Sequence, residues 1–144
     1  MDSSLNKPDQ IVETHSFVNS NLDLFENILN SLESVSAEAK SFLKEKVSSE
    51  GKVNNQLLEK HQHEGHGYAW FETYRIALRE TLNWFKSLKK LDKSTKLESG
   101  ILIFSFAEYL CQMRSGIMMS QTEVIRPENL GISNQSFSFC DSPD

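Results

Sequence analysis

His61, His63, Glu64 and His66 fall within six residues of one another, and imidazole with carboxylate is the ligand chemistry of zinc. Zinc needs three or four ligands converging in a defined geometry. The spacing His-x-His-x-x-His is not one of the standard pairs such as HExxH. No second ligand cluster stands elsewhere, and the remaining histidine, His15, is remote in sequence. The four side chains are therefore read as local polar groups of a turn or helix, with no metal ligand assigned. Nucleophilic chemistry finds no support either, because no serine or cysteine sits in a nucleophile elbow or a Cys–His context. Gly65 and Gly67 flank His66, but no strand precedes them and no GK[ST] follows, so a phosphate-cradling loop is excluded. Met113, Met118 and Met119 lie close together and read as core filling. No residue is assigned as catalytic or cofactor-binding.

The elements that must carry these side chains are helical. The prolines stand at 8, 127 and 143, leaving 9–126 free of them, and apolar residues recur there at three- and four-residue steps. The pattern predicts an all-α fold, an antiparallel bundle of about four helices with an extended C-terminal tail. The first helix spans about 10–30, with Leu22, Phe25, Ile28, Leu29 and Leu32 as its buried stripe. Ser34 or Ser36 is positioned to cap a second, carrying Ala39, Phe42, Leu43 and Val47 as far as Gly51. The third helix has one wide apolar face of Trp70, Phe71, Tyr74, Leu78, Leu82 and Phe85, opposite a solvated face holding Glu72, Arg75 and Arg79. The fourth opens on Thr95 and Glu98 at capping-box spacing and ends at Gly116. Ile101 to Phe104 and Phe106 leave it almost no polar face, so it is expected to be buried on several sides, with Cys111 a small core hydrophobe. In domain terms, residues 1–9 form a disordered N-terminus, 10–117 the bundle, 118–132 an extended connector and 133–144 a disordered tail.

Composition bounds the function. An apolar fraction of 38% in 144 residues suffices for one core, while the length excludes a complete flavin or nicotinamide dehydrogenase. Net charge is −5. The one basic cluster, Lys86, Lys89, Lys90 and Lys93, complements a helix C-terminus and is too narrow for a nucleic-acid face. The most apolar run, 101–107, falls far short of the roughly 20 residues that span a membrane. Two cysteines make no disulfide framework and the N-terminus is no signal peptide, so a cytoplasmic, reducing setting is expected, with no nucleic-acid or membrane partner.

Two stretches carry a family resemblance. The first runs from His66 and Gly67 through Trp70, Tyr74 and Arg79. The second holds Glu108, Tyr109 and Gln112, then Gly116, then Met119-Ser120-Gln121-Thr122-Glu123 and Arg126-Pro127 with Leu130-Gly131. Together they resemble the N-terminal helical extension of acyl-CoA dehydrogenase family proteins of the methylsuccinyl-CoA dehydrogenase type, over about 66–131. MSQ, an acid, then RP and LG at this spacing is the more specific part. The chain departs from the family pattern at Ser115, where a glycine is usual, and at Met118, where a proline is usual.

The resemblance implies an accessory domain beside a dehydrogenase body that binds FAD and an acyl-CoA thioester, with the catalytic glutamate outside this sequence. FAD is thus expected in the body and no cofactor on this chain, which is expected to be an accessory domain on its own, whether as a natural stand-alone protein, a split gene product or a truncated frame. Its partner is expected to be that catalytic domain, or itself as a homo-oligomer. His66, Gly67, Trp70, Tyr74, Glu108, Tyr109, Gln112, Gly116, Ser120, Gln121, Glu123, Arg126 and Pro127 are the candidate interface residues, Arg126 being suited to a carboxylate or phosphate. The alternative is a free-standing helical protein-interaction module without enzymatic activity. If Trp70 and Phe104 are core, truncating either to alanine costs ~3–5 kcal/mol in unfolding experiments, whereas His63→Ala is nearly neutral.

Overall fold

The computed structural model describes the backbone of residues 7–141 and the side chains from residue 13 onward. The chain runs α1 (Lys7–Ser20), α2 (Leu22–Val47), a hairpin of β1 (Ser48–Ser49) and β2 (Lys52–Val53), and α3 (Asn55–Lys60). It continues through α4 (Gln62–Lys90), α5 (Lys96–Ser115), a second hairpin of β3 (Ile117–Met118) and β4 (Val124–Ile125), and 3₁₀ turns at Pro127–Leu130 and Asn134–Cys140. The expected all-α bundle is present, with α4 at its centre and both α2 and α5 against it, and α1 on α5. Ion pairs fix the sense of α2 against α4: Glu33 meets Arg75 and Glu26 meets Arg79 and Lys86. Partners thus rise along α4 as they fall along α2, so the two helices are antiparallel.

The first chain break lies elsewhere than the capping serines suggest. It falls at Asn21, and α2 runs unbroken through Ser34 and Ser36. Leu29, Leu32, Val35 and Ala39 continue one buried stripe across that point. Ser34 donates to the carbonyl of Asn30 four residues back, and Ser36 turns inward to Glu72. A serine that finds its partner in this way has no need to end the helix. Lys89 donates to the Asn19 carbonyl at 2.8 Å, a base satisfying an orphan group near the end of α1. Gly51 does end an element, in the turn of the β1–β2 hairpin, where Glu50 and Gly51 both have positive φ. That is the conformation a two-residue hairpin loop requires.

α5 matches its expected ends, with a full capping box from Thr95 and Glu98 and Gly116 as C-cap. Its burial does not match. Leu102, Phe106 and Met113 are buried, whereas Leu97, Ile101 and Phe104 lie open, Phe104 at 76% exposure. Cys111 is exposed as well, so it is no core residue. Trp70 is half-buried.

The termini also differ from expectation. Residues 1–6 lie outside the described residues, but 7–9 belong to α1, so the first helix starts before residue 10. Residues 118–132 form a hairpin and a 3₁₀ turn rather than a plain extended connector. Residues 134–140 are helical, with Phe137 1% exposed in the main core beside Leu130 and Ile132; residues 142–144 lie outside the described residues. Glu38 of α2 holds this segment by accepting from the Ser133 amide at 3.1 Å and the Ser136 hydroxyl at 2.6 Å. A polar composition concealed the anchor, because the contact closes nearly a hundred residues of chain. Phe137→Ala is expected to cost ~3–5 kcal/mol, and Phe104→Ala to leave the urea midpoint of the chain at high dilution near wild type; equal losses there would contradict this packing.

Candidate functional site

The two resembling stretches meet along α4 and α5. His66, Trp70 and Tyr74 recur every four residues on α4, placing them on one helix face. The Trp70 indole donates to His66 Nε2 at 3.1 Å, and Trp70 meets Tyr74 edge-on at 6.1 Å between ring centroids. Tyr74 stacks on Tyr109 of α5 at 4.4 Å. Its hydroxyl donates to Gln112 Oε1 at 2.7 Å, and Gln112 donates in turn to Glu108 at 2.5 Å. Burial, together with the neighbouring Tyr109 and Glu108, pushes the Tyr74 phenol above its usual range, so it remains a hydrogen-bond donor at neutral pH. Six of the candidate residues thus form one ladder locking α4 to α5.

Gly67 is on the same helix but has a different task. A Cβ at this position would overlap Ile125, which is buried against the helix backbone. The glycine lets β4 lie directly on α4. Gly116, at φ +141, ends α5 and faces Val124, and the β3–β4 pairing of Ile117 with Ile125 follows at once. The loop between these strands is closed by Glu123: its carbonyl accepts from the Met119 and Ser120 amides, and its own amide donates to the Ser120 hydroxyl. Gln121 is exposed in that loop. Glu123 and His66 line one shallow depression with Gln62 and His63. Pro127 is buried at the first position of its 3₁₀ turn, where fixed φ is favourable. The Arg126 amide donates to Asn129, leaving its exposed guanidinium free of a described ion pair.

Two of the clustered histidines are occupied locally: His61 approaches Glu64 at 3.2 Å and His66 accepts from Trp70. Among the described residues no group of three His, Cys, Asp or Glu could hold a metal. No helix among them is long and apolar enough to cross a membrane.

Glu72 and Arg75 were expected on a solvated face, but they join α4 to α2 in a half-buried network. Arg75 grips Glu72 through Nε and Nη2 and reaches Glu33 at 2.6 Å, while buried Ser36 donates to Glu72 at 2.5 Å. Burial opposes ionisation of Glu72, yet the hydrogen bonds from Arg75 and Ser36 outweigh it and hold the carboxyl below its ordinary 4.5. The network was invisible in the sequence because Glu33 and Ser36 carry no signal of their distant partners. His15, likewise, meets fully buried Ser99 at 2.7 Å across α1 and α5.

Comparison with known proteins sets this geometry in context. No family model matches the chain. It is 39% identical over 111 residues, 77% of its length, to the (2S)-methylsuccinyl-CoA dehydrogenase of Cereibacter sphaeroides. Over that segment the chain is a homologue of an acyl-CoA dehydrogenase. The chain spans about a fifth of that relative's length. The resemblance read from the His66–Gly131 motifs is thereby shown. In this chain the ladder residues and Gly67 are packing groups and Glu123 closes a turn.

Two outcomes test the geometry. Gly67→Ala lowers the unfolding midpoint and speeds exchange of the Met119 amide, since overpacking costs ~1–3 kcal/mol. Gly65→Ala, whose Cβ would make only ordinary contact with Leu58 at 3.9 Å, is stabilised instead. For Glu72, the depressed pKa contributes stability that is complete above 4.5 and is lost as pH falls through the folded-state value. Glu72→Gln is therefore less stable than wild type at neutral pH, and the gap closes in acid; a gap constant with pH in urea titrations would contradict the network.

Proposed function

We propose that this chain is the helical accessory domain of an acyl-CoA dehydrogenase, corresponding to the N-terminal extension and serving packing and oligomerisation rather than chemistry. The homology to a segment one fifth the length of a methylsuccinyl-CoA dehydrogenase carries the reading. The catalytic body, its FAD and its acyl-CoA substrate belong to the remainder of such an enzyme. Gly65 and Gly67 lie inside α4, and Gly67 is closed off by Ile125, so the pair forms no phosphate loop. The ladder hydroxyl of Tyr74 is committed to Gln112, in keeping with a packing role. Free thiols at Cys111 and Cys140 accord with a reducing cytoplasmic setting.

The surface toward the body is the end of the bundle formed by His66, Trp70, the Glu123 loop and Arg126. An open guanidinium on a fixed turn suits a carboxylate of the partner, the pairing geometry in which arginine excels. The test is co-elution with the remaining four-fifths of the Cereibacter sphaeroides enzyme, produced as a separate polypeptide. Formation of a complex weakened by Arg126→Glu is expected. Absence of any complex at high concentration, with both proteins folded, would refute the assignment.

A further inference from the structure

The outer face of α5 is unexplained by the fold. Leu97, Ile101, Phe104, Glu108 and Cys111 are all exposed, and their steps of four, three, four and three residues form a seam of period 3.5. The buried residues of the helix, Ser99, Leu102, Phe106 and Met113, occupy the opposite side. Such a seam is the pattern of a helix that pairs with another helix. Its large members are 68%, 42% and 76% exposed at Leu97, Ile101 and Phe104, and with Gly100 and Ser105 they line one open apolar groove.

Gly100 sharpens the reading. A mid-helix glycine costs ~1 kcal/mol relative to alanine, and here nothing within the chain requires it. Its Cβ would meet no atom within 4 Å, and it has no positive φ. Ser105 and Ala107 are the other small residues flanking the seam. Small flanks admit close approach by an external helix.

Charge selects the occupant and its direction. Lys93 and Lys96 stand at the start of α5 and form no ion pair among the described residues, while Glu108 lies exposed in its second half. A parallel copy would set Glu108 against Glu108. An antiparallel copy related by a two-fold axis places Ile101 against Phe104 of its mate in both central layers. It also brings Glu108 opposite Leu97, within one turn of the mate's Lys93 and Lys96. The seam is thus complementary to itself, as a two-fold interface demands.

We propose that α5 is a homodimerisation helix, pairing antiparallel with α5 of a second copy of this chain through Leu97, Ile101 and Phe104. The proposal deepens the accessory-domain reading, on which it rests for taking oligomerisation as the role. Sedimentation equilibrium on the full chain is expected to show a reversible dimer. Phe104→Glu, at a position already open to solvent, weakens dimerisation at least ~tenfold with unchanged helicity. Gly100→Ala separates the two roles of that position, raising the melting temperature of the monomer while weakening the dimer.

Direction is read by cross-linking in a Cys111→Ser, Cys140→Ser background. Leu97→Cys combined with Glu108→Cys forms an intermolecular disulfide on oxidation. Leu97→Cys alone does not, because the two copies of residue 97 lie ~16 Å apart along the antiparallel pair. A wild-type chain that stays monomeric at all concentrations overturns the proposal, as does a dimer indifferent to Phe104→Glu. A disulfide from Leu97→Cys alone overturns the antiparallel arrangement. A monomeric chain that still co-elutes with the dehydrogenase body would sink this proposal while leaving the accessory-domain reading in place.

Discussion

Everything downstream of α5 depends on a backbone that carries no side chain at Gly67. The β3–β4 hairpin can rest on α4 only because Ile125 fills the space a Cβ would take. Once Ile125 is seated, Ile117 is held across the ladder from it, and the chain is delivered to Pro127 on the correct side of the bundle. A second close approach, Gly131 over the Phe42 ring of α2, repeats the device and points the chain toward Glu38. The bundle is thus closed by two glycine contacts, one on α4 and one on α2, with Leu130 and Ile132 buried on either side of Gly131 in the chain. Close-packed interiors transmit such constraints over several residues, because they leave no slack to absorb a misplaced segment.

The aromatic ladder has the complementary task of fixing the axial register of α4 and α5. Apolar stripes alone let two helices slide by a turn with little penalty. The Tyr74–Tyr109 stack and the Tyr74–Gln112 hydrogen bond tolerate no such shift. The Glu72–Arg75 group does the same between α4 and α2. Each of these groups fits one axial offset of its helix pair and no other.

Much of the helical skeleton was legible because it is written in local terms. Periodicity located α4, and a capping box and a glycine stop bounded α5. Two of the misreadings share one cause. Ser34 and Ser36 resemble caps unless Glu72 is known to lie across from Ser36, and Phe137 reads as a stray aromatic unless Glu38 is known to hold its segment. Both depend on contacts distant in sequence, where composition carries no information. α5 misled in a different way: with apolar residues on two opposite sides it reads as uniformly buried, although only one side faces the core. The site was legible as a motif and not as an arrangement. Adjacent letters such as Met119-Ser120-Gln121 turn out to separate into a buried methionine, a turn-closing hydroxyl and an exposed amide.

The clasp between Glu38 and the Ser133–Ser136 segment has a kinetic consequence. Joining positions so far apart in sequence carries a loop-closure cost that the helices, formed from near neighbours, do not. The segment bearing Phe137 therefore seats after the bundle has assembled and can lift away as a unit in native-state fluctuations. Each such opening uncovers the Phe137 socket while leaving α2, α4 and α5 folded. The molecule accordingly has a cooperative unit smaller than itself, a flap held by the Glu38 carboxylate, the Phe137 ring and the Arg114–Asp141 ion pair.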